Sequence, residues 1–256
     1  MDTRGIILAA GRGSRMGELT TAQPKCLLSL GGRTLLDWQL AAFREAGIHQ
    51  VALVTGYQAE SLADKAPTSF HNPDWAATNM VVSLTHARAW LQQYPCVVCY
   101  ADIVVTAPML QKLQAAPGEL VITSHQCWRQ IWEARFANPL ADAETFRVDS
   151  NGTLLEIGGR TDDINTIQGQ FMGLLYFLPS GWQRAEKYLQ TLPEDVRRRL
   201  DMTGLLARLI QQGWQIGTVA VDGLWMELDR AEDKILYDAW LAAGDSGIFH
   251  CQGTTP

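Results

Sequence analysis

A glycine- and arginine-rich stretch near the start of the chain is the feature that most constrains its fold. The apolar run at 6–10 predicts a buried strand, and a loop with three glycines and two arginines follows it directly. Glycines let a backbone turn sharply and approach an anion, and successive loop N–H groups can cradle a phosphate. Arg12, Arg15 and Lys25 add full positive charges, and the planar guanidinium of arginine suits phosphate oxygens. The stretch therefore predicts a strand that delivers a polyphosphate-binding loop.

Two common phosphate-binding motifs do not fit this loop. The dinucleotide motif G-x-G-x-x-G needs a glycine where Met16 stands, and the sequence contains no G-x-x-x-x-G-K-[ST]. A longer pattern is more informative: L-A-A-G-x-G-S-R-M at 8–16 is followed by T-x-x-x-P-K, which ends at Lys25. This combination resembles the signature of the nucleotidylyltransferases that act on sugar 1-phosphates and phosphocholine.

Composition excludes several other classes of protein. Of the 256 residues, 47% are hydrophobic and 19% are charged, as in ordinary globular domains. The net charge of −6 argues against a nucleic-acid partner. No apolar run approaches the roughly 18 residues of a membrane span. The sequence 1–4 does not read as a signal peptide, so we expect a cytoplasmic protein.

The C-x-x-C at 96–99 is not interpreted as a redox or zinc motif. It falls within an apolar strand, whose alternation places the two thiols on opposite faces.

The order of apolar and amphipathic segments predicts an α/β fold. Near-continuous apolar strands separated by helices favour a mostly parallel sheet with helices on both faces. Together with the resemblance, this implies a Rossmann-like three-layer α/β/α nucleotidyltransferase fold. We expect one domain at 1–243 and a flexible tail at 244–256. Strands are predicted at 6–10, 51–55, 68–71, 96–100, 120–124, 171–177, 215–221 and 225–228, and helices at 34–46, 59–65, 78–91, 108–115, 181–190, 203–212 and 231–242.

The segment 127–168 differs from the rest of the chain in its pattern of short predicted elements. It holds short β-like pieces at 131–136, 145–148 and 154–157, and Asn151-Gly152 is a hairpin signal. We predict a small antiparallel insertion on the acceptor side of the active cleft.

Two acidic sites are candidates for binding a metal ion. Asp102 follows the predicted strand 96–100, and ligands of open α/β sheets bind at the carboxyl ends of the strands. Glu227 and Asp229 share one face of a strand, although Asp229 is also placed to cap the last helix. The pattern W-x-E-x-D-x-x-E-D at 225–233 resembles the segment that supplies the second metal-binding aspartate in phosphocholine-type enzymes. The resemblance thus implies Mg²⁺ held by Asp102 and Asp229, bridging the nucleotide phosphates.

The resemblance also implies a reaction and a nucleotide site. An acceptor phosphate or phosphonate oxygen, already anionic, attacks the α-phosphorus of the nucleotide, and pyrophosphate leaves without a general base. Lys25 would neutralise charge at the α-phosphate, and Arg15 the charge on pyrophosphate. The stretch 75–84 resembles a segment near the base, although Thr78 or Asn79 could instead only cap a helix. The residues expected to bind the nucleotide are Leu8, Ala9, Ala10, Gly11, Gly13, Ser14, Lys25, Thr78, Asn79 and Ser83.

Aromatic and charged residues in and beside the insertion are candidates for binding the acceptor. Aromatic faces attract quaternary ammonium groups, which would suit choline, whereas core packing is the alternative for each aromatic residue. Two arginines could bind the acceptor's phosphate instead. These candidates are Trp132, Arg129, Arg160, Phe171, Tyr176, Trp225 and Glu227.

Three functions remain to be weighed. The segment 169–174 resembles the G-E-F-I-G-L element of phosphonate nucleotidyltransferases, with Gln170 in place of the acid, which favours a Mg²⁺-dependent cytidylyltransferase for phosphocholine or a phosphonate such as 2-aminoethylphosphonate. The alternatives are a sugar-1-phosphate nucleotidylyltransferase using UTP, dTTP or GTP, and a catalytically silent relative that binds nucleotide. The expected partners are CTP or another NTP and a small acceptor, and the sequence leaves a homo-oligomer open.

Overall fold

The computed structural model describes residues 2–244. Its strands are β1 Arg4–Ala9, β2 Ser29–Leu30, β3 Arg33–Thr34, β4 Val51–Thr55, β5 Thr68–His71, β6 Cys96–Tyr100, β7 Ile103–Val104, β8 Leu120–His125, β9 Phe146–Val148, β10 Leu154–Ile157, β11 Gln170–Phe177, β12 Gly217–Val221 and β13 Met226–Glu227. Its α-helices are α1 Leu35–Glu45, α2 Met80–Thr85, α3 Arg88–Leu91, α4 Ala107–Ala115, α5 Trp128–Arg135, α6 Pro179–Thr191, α7 Glu194–Arg199, α8 Met202–Gln211 and α9 Ala231–Ala243.

A seven-stranded sheet in the order β12-β8-β11-β6-β1-β4-β5 forms the centre of the fold. Every neighbouring pair is parallel except those of β11, which runs antiparallel to both β6 and β8. At its middle, Ile7 lies opposite Leu53 on one side and Cys99 on the other, and all three are fully buried. Helices cover both faces of such a sheet, so its central strands read as continuous apolar runs. The expected α/β fold with a mostly parallel sheet is confirmed.

Helix α1 illustrates how local sequence sets an element. The Thr34 hydroxyl caps it by accepting a 3.0 Å hydrogen bond from the Asp37 N–H. Leu35, Leu36 and Phe43 are buried on one face, and Gly47, at φ 82°, ends the helix. The sequence predicted this helix from Thr34, Gly47 and an apolar face of Leu36, Leu40 and Phe43, of which Leu40 is only half-buried.

Two short antiparallel pairs lie outside the main sheet and matter for the site. Strands β9 and β10 form the expected hairpin, in which the Asp149 carboxylate accepts the N–H groups of Asn151 and Thr153. Strands β7 and β13 pair Ile103 with Glu227. The Leu228 N–H also donates to the carbonyl of Asp102 at 3.0 Å. This pairing brings the chain around residue 102 beside the chain around residue 228.

Several sequence-based expectations for individual elements are wrong. The piece 131–136 is not β-like, because the buried residues Trp128, Ile131, Trp132 and Arg135 follow helical spacing and form one face of α5. The expected helix 78–91 is two helices, since the N–H groups at 86 and 87 bond to carbonyls three residues back and tighten the turn between them. The expected helix 59–65 is a single 3₁₀ segment, Ala59–Leu62, and α7 was not expected.

The expected flexible tail, apart from Gly244, lies outside the described residues. Within 2–244, no helix is both long and apolar enough to cross a membrane.

Candidate active site

Lys25 is the centre of the candidate site. It follows Pro24 and begins a short 3₁₀ turn, and its side chain crosses Gly13, where an added Cβ would stand 2.9 Å from Lys25 Cδ. The residue is buried, with 8% of its surface exposed. Its Nζ donates to Asp102 Oδ2 at 2.8 Å and to Asp229 Oδ1 at 3.1 Å. One ammonium group therefore joins two carboxylates that are far apart in sequence.

Arg15 completes this cluster from the glycine-rich loop. Its Nη1 lies 2.6 Å from Asp229 Oδ2, so the two oxygens of Asp229 contact two different cations. The Arg15 side chain is 70% exposed, whereas that of Asp229 is 10% exposed. Asp102 Oδ1 is buried and has no hydrogen-bond partner among residues 2–244. The cluster thus balances two cations against two carboxylates and leaves one carboxylate oxygen available.

The electrostatics keep Lys25 charged. Burial lowers its pKa, but the negative charges of Asp102 and Asp229 outweigh burial, and the pKa is raised above its usual value. Glu227 behaves differently: burial and the nearby carboxylates raise its pKa to about 7, although Arg135 acts in the opposite direction.

Neither aspartate serves the structural role that competed with metal binding. Helix α4 has Thr106 as its N-cap, four residues beyond Asp102. The cap of α9 is Arg230 rather than Asp229. The side chains of both aspartates are therefore directed to the cation cluster instead of to helix ends.

A cavity of about 250 Å³ opens beside Lys25 at the end of β1. Trp75 and Ala10, which line this cavity, pack closely against Gly56. A side chain at position 56 would not fit, because its Cβ would lie 2.6 Å from Trp75 Cβ and 2.7 Å from the Ala10 carbonyl oxygen. Of the expected nucleotide residues, only Ser14 is not part of the lining. The lining includes Leu8, Ala9, Ala10, Gly11, Gly13, Lys25, Thr78, Asn79 and Ser83, together with Arg15, Asp102 and the unexpected Cys26, Trp75, Met80, Tyr100 and Ala101.

Thr78 and Asn79 take part in local structure as well as lining the cavity. Asn79 caps α2 by accepting from the Met80 N–H at 2.7 Å. The fully buried Asn72 donates to Thr78 Oγ1 at 3.1 Å and to Ser83 Oγ at 3.0 Å. Asn72 thus fixes two hydroxyl groups on the wall, a role that no local sequence signal indicated.

A second cavity, of about 210 Å³, adjoins the first and shares Arg15, Met80 and Tyr100 with it. Glu227 and Asp229 lie on its wall. The two cavities therefore meet at the cation cluster, as they would for two substrates that react with each other.

The structure divides the expected acceptor residues into two groups. Trp132, Phe171 and Glu227 line the second cavity. The other four do not, and each has another role. Arg129 pairs with Glu133 on the surface, Arg160 donates to the carbonyls of residues 141–143, Tyr176 packs in β11, and Trp225 stacks on Trp132 with centroids 5.7 Å apart.

Acidic residues that were not among the expected acceptor residues dominate this second cavity. Asp142, Glu144 and Asp201 line it in addition to Glu227 and Asp229. The backbone of Glu144 is held at both ends by Gln170, whose amide accepts from its N–H at 3.1 Å and donates to its carbonyl at 2.6 Å. Burial and the charge of Asp201 raise the pKa of Glu144. The cavity is therefore suited to a positively charged group.

Comparison with known proteins agrees with this geometry. Residues 5–156 match the family described as the MobA-like NTP transferase domain. A CTP:phosphoglutamine cytidylyltransferase from Campylobacter jejuni is 32% identical over 244 residues, which cover 89% of this chain and 96% of that protein. A 2-aminoethylphosphonate cytidylyltransferase from Lancefieldella rimae is 27% identical over 73% of this chain and 72% of the relative.

The solved structure of a CTP:phosphocholine cytidylyltransferase from Streptococcus pneumoniae has the same fold. Its TM-score is 0.71 at 17% identity, covering 94% of this chain and 100% of that one. The chain belongs to the MobA-like NTP transferase family, and it is a nucleotidyltransferase.

Proposed function

We propose that this protein is a Mg²⁺-dependent cytidylyltransferase that transfers CMP from CTP to a small phosphorylated or phosphonate acceptor and releases pyrophosphate. The observation that carries the proposal is the meeting of two cavities at Lys25, Arg15, Asp102 and Asp229. The cytoplasmic location stays a prediction from the sequence, which leaves the oligomeric state open.

The residues at the junction fit a magnesium ion. Within 2–244, no group of three or more His, Cys, Asp and Glu side chains is arranged to hold a metal. Mg²⁺ does not need one, because it is usually held by one or two carboxylates plus phosphate oxygens and water. Asp102 and Asp229 both contact Nζ of Lys25, and Asp102 Oδ1 lacks a hydrogen-bond partner in the described part of the chain. These two residues would hold the ion, which when bound neutralises charge on the nucleotide phosphates.

The residues of the chain itself provide positioning and charge for the transfer. An anionic acceptor oxygen forms a bond to the α-phosphorus while the bond to the bridging oxygen breaks, and pyrophosphate leaves with that electron pair. Lys25, which lines the nucleotide cavity, stabilises charge that develops on the α-phosphate. Arg15 lines both cavities and balances the charge of the pyrophosphate. The loop N–H groups near Gly11 and Gly13 bind the phosphates.

The lining of the second cavity supports an acceptor that carries an ammonium group. Five carboxylates and one cationic side chain, Arg15, line it. Asp229 also pairs with Lys25 and Glu227 with Arg135, so Asp142, Glu144 and Asp201 supply the negative charge that favours an ammonium group over an uncharged sugar ring. Trp132 and Phe171 add aromatic faces that attract ammonium groups. Two relatives, a CTP:phosphoglutamine cytidylyltransferase and a 2-aminoethylphosphonate cytidylyltransferase, support such an acceptor.

Pyrophosphate release tests the proposal directly. Four nucleoside triphosphates would be crossed with phosphocholine, 2-aminoethylphosphonate, phosphoglutamine and glucose 1-phosphate, with and without Mg²⁺. We expect release with CTP and one of the first three acceptors, dependent on Mg²⁺. Release only with the sugar phosphate would replace this proposal with the sugar-nucleotide alternative, and nucleotide binding without any release would favour the silent relative.

A further inference from the structure

A buried arginine connects the acceptor side of the protein to the candidate metal ligand Asp229. Arg135 ends α5, and its side chain is 0% exposed. Its Nε and Nη2 bind the two oxygens of Asp233 at 3.0 and 3.1 Å, and its Nη1 binds Glu227 Oε2 at 3.1 Å. A buried guanidinium is retained only when its donors are paired, and the planar fork matches a carboxylate in this two-bond geometry.

Asp233, which is bound to Arg135, also binds the backbone of Asp229. Its Oδ2 accepts the N–H of Asp229 at 2.9 Å and that of Arg230 at 2.9 Å, at the entrance to α9. Both carboxylate oxygens of Asp233 are therefore fixed by Arg135 while one of them fixes the turn that carries Asp229. The side chain of Asp229 leaves this turn toward Lys25 and Arg15.

Two further contacts join α5 to the same segment. Arg230 Nη2 donates to the backbone carbonyl of Arg135 at 3.0 Å. The residue after Asp229 is therefore also bound directly to the end of α5. Trp132, one turn before Arg135, lines the acceptor cavity and stacks on Trp225 with an interplanar angle of 4°. The helix that forms one wall of the acceptor cavity is thus tied at several points to the segment 225–233.

We propose that Arg135 is a positioning residue that acts through Asp233 to hold Asp229 in the orientation needed for metal binding and transfer. This inference rests on the proposed role of Asp229 in the cytidylyltransferase. It assigns to the end of α5 a function that is separate from contact with either substrate, because Arg135 does not line either of the two cavities described.

Arg135→Lys provides the sharpest test, because this substitution keeps the positive charge but cannot form the two hydrogen bonds to Asp233. Loss of a residue that orients a metal ligand typically costs about 10- to 100-fold in metal affinity or activity. We expect Arg135→Lys to lower kcat and to weaken activation by Mg²⁺ by about tenfold or more. The KM values for CTP and for the acceptor should change by less than about threefold, because the cavity linings are retained.

Two measurements without turnover test the same inference. Mn²⁺ binding in the presence of CTP, followed by electron paramagnetic resonance, should weaken about tenfold in Arg135→Lys. Amide hydrogen exchange should accelerate at residues 229 and 230 but not at Ile7 and Leu53 in the central sheet. A purely structural role would instead speed exchange throughout the molecule. Arg147→Lys is the matched control and should behave as wild type, because within residues 2–244 the side chain of Arg147 forms just one ion pair, with Glu156 on the surface.

The outcomes separate this inference from the proposed function. Folded Arg135→Lys with wild-type kcat, Mn²⁺ affinity and exchange at 229 would overturn it. If Arg135→Lys does not fold, the same measurements are made on Asp233→Asn, which keeps the side-chain volume and removes the charge that pairs with Arg135. If wild-type protein shows no turnover with any acceptor, the proposed function fails, while selective loss of protection at 229 in the variant would still support the positioning by Arg135.

Discussion

Lys25→Met would remove the cation that joins Asp102 to Asp229 while keeping an unbranched side chain of similar length. The Nζ contacts at 2.8 and 3.1 Å would be lost together, and the two carboxylates would face each other with only Arg15 nearby. At about 3 Å and an effective dielectric constant of about 20, each of these attractions is about 5 kcal/mol before desolvation is subtracted.

The net loss is smaller than this Coulomb value. Removing one partner of a buried ion pair destabilises a protein by about 3–5 kcal/mol, and the 23% exposure of the Asp102 side chain places this case near the lower limit. About 3 kcal/mol corresponds to a fall of about 6–12 °C in Tm for a domain of this size. The effect on catalysis is separate, since loss of one group that stabilises transition-state charge lowers kcat by about 10²- to 10³-fold.

Thermal unfolding and pyrophosphate release, each followed against Mg²⁺ concentration, would test both values. Mg²⁺ should recover part of the lost stability, because it supplies positive charge to the same carboxylates, but it should not restore kcat. Lys112→Met is the control: Lys112 is exposed and donates only to the Ala220 carbonyl, so its loss should change stability by less than about 0.5 kcal/mol. A folded Lys25→Met protein with kcat within about threefold of wild type would refute the assignment.

Three further substitutions test other parts of the site. Arg15→Gln should lower kcat/KM about 10- to 100-fold in the pyrophosphate-release assay. Tm should change little, because an exposed ion pair contributes only about 0–1 kcal/mol to stability. A large fall in Tm with normal kinetics would contradict this. Gly13→Ala should reduce kcat, since residue 13 has a φ of 70° and the new Cβ would displace Lys25; an unchanged kcat would show that Lys25 tolerates the shift. Glu144→Gln should raise KM for an ammonium-bearing acceptor about tenfold and leave KM for CTP unchanged. Because the pKa of Glu144 is raised, its charge is lost at higher pH than for an ordinary carboxyl group, so acceptor KM in wild type should rise as pH falls through that pKa and stay flatter in Glu144→Gln.

The parts of the site that could be predicted from sequence are those encoded by contiguous residues. The strand and glycine loop at 5–17 and the Pro24-Lys25 pair carry their geometry in local conformational preferences. Asp102 was identifiable because it follows a strongly apolar strand at the edge where ligands bind. The pairing that brings it to Asp229 uses strands of only two residues each, which is too short for any periodic signal.

The acceptor side was harder to predict because its contacts are distant in sequence. The piece 131–136 was expected to be β-like, whereas the spacing of the buried residues across α5 is helical. Arg135 would ordinarily be assigned to the surface, and its partner Asp233 lies 98 positions away. The acidic lining also combines residues 142 and 144 from one segment with residue 201 from another, which lies far from them in sequence.

The charge arrangement of the site favours a reaction governed by positioning. Asp102 and Asp229 hold Lys25 and Arg15 at the junction of the two cavities, so the fold itself positions the cations that would meet the phosphate oxygens. The carboxylates that hold them are the same groups proposed to bind Mg²⁺. Asp102 and Asp229 would therefore both orient the two cations and hold the ion, whose positive charge would add to theirs beside the phosphates. Because Arg135 and Asp233 fix the backbone at Asp229, the chain that carries this shared carboxylate is held in place for both roles.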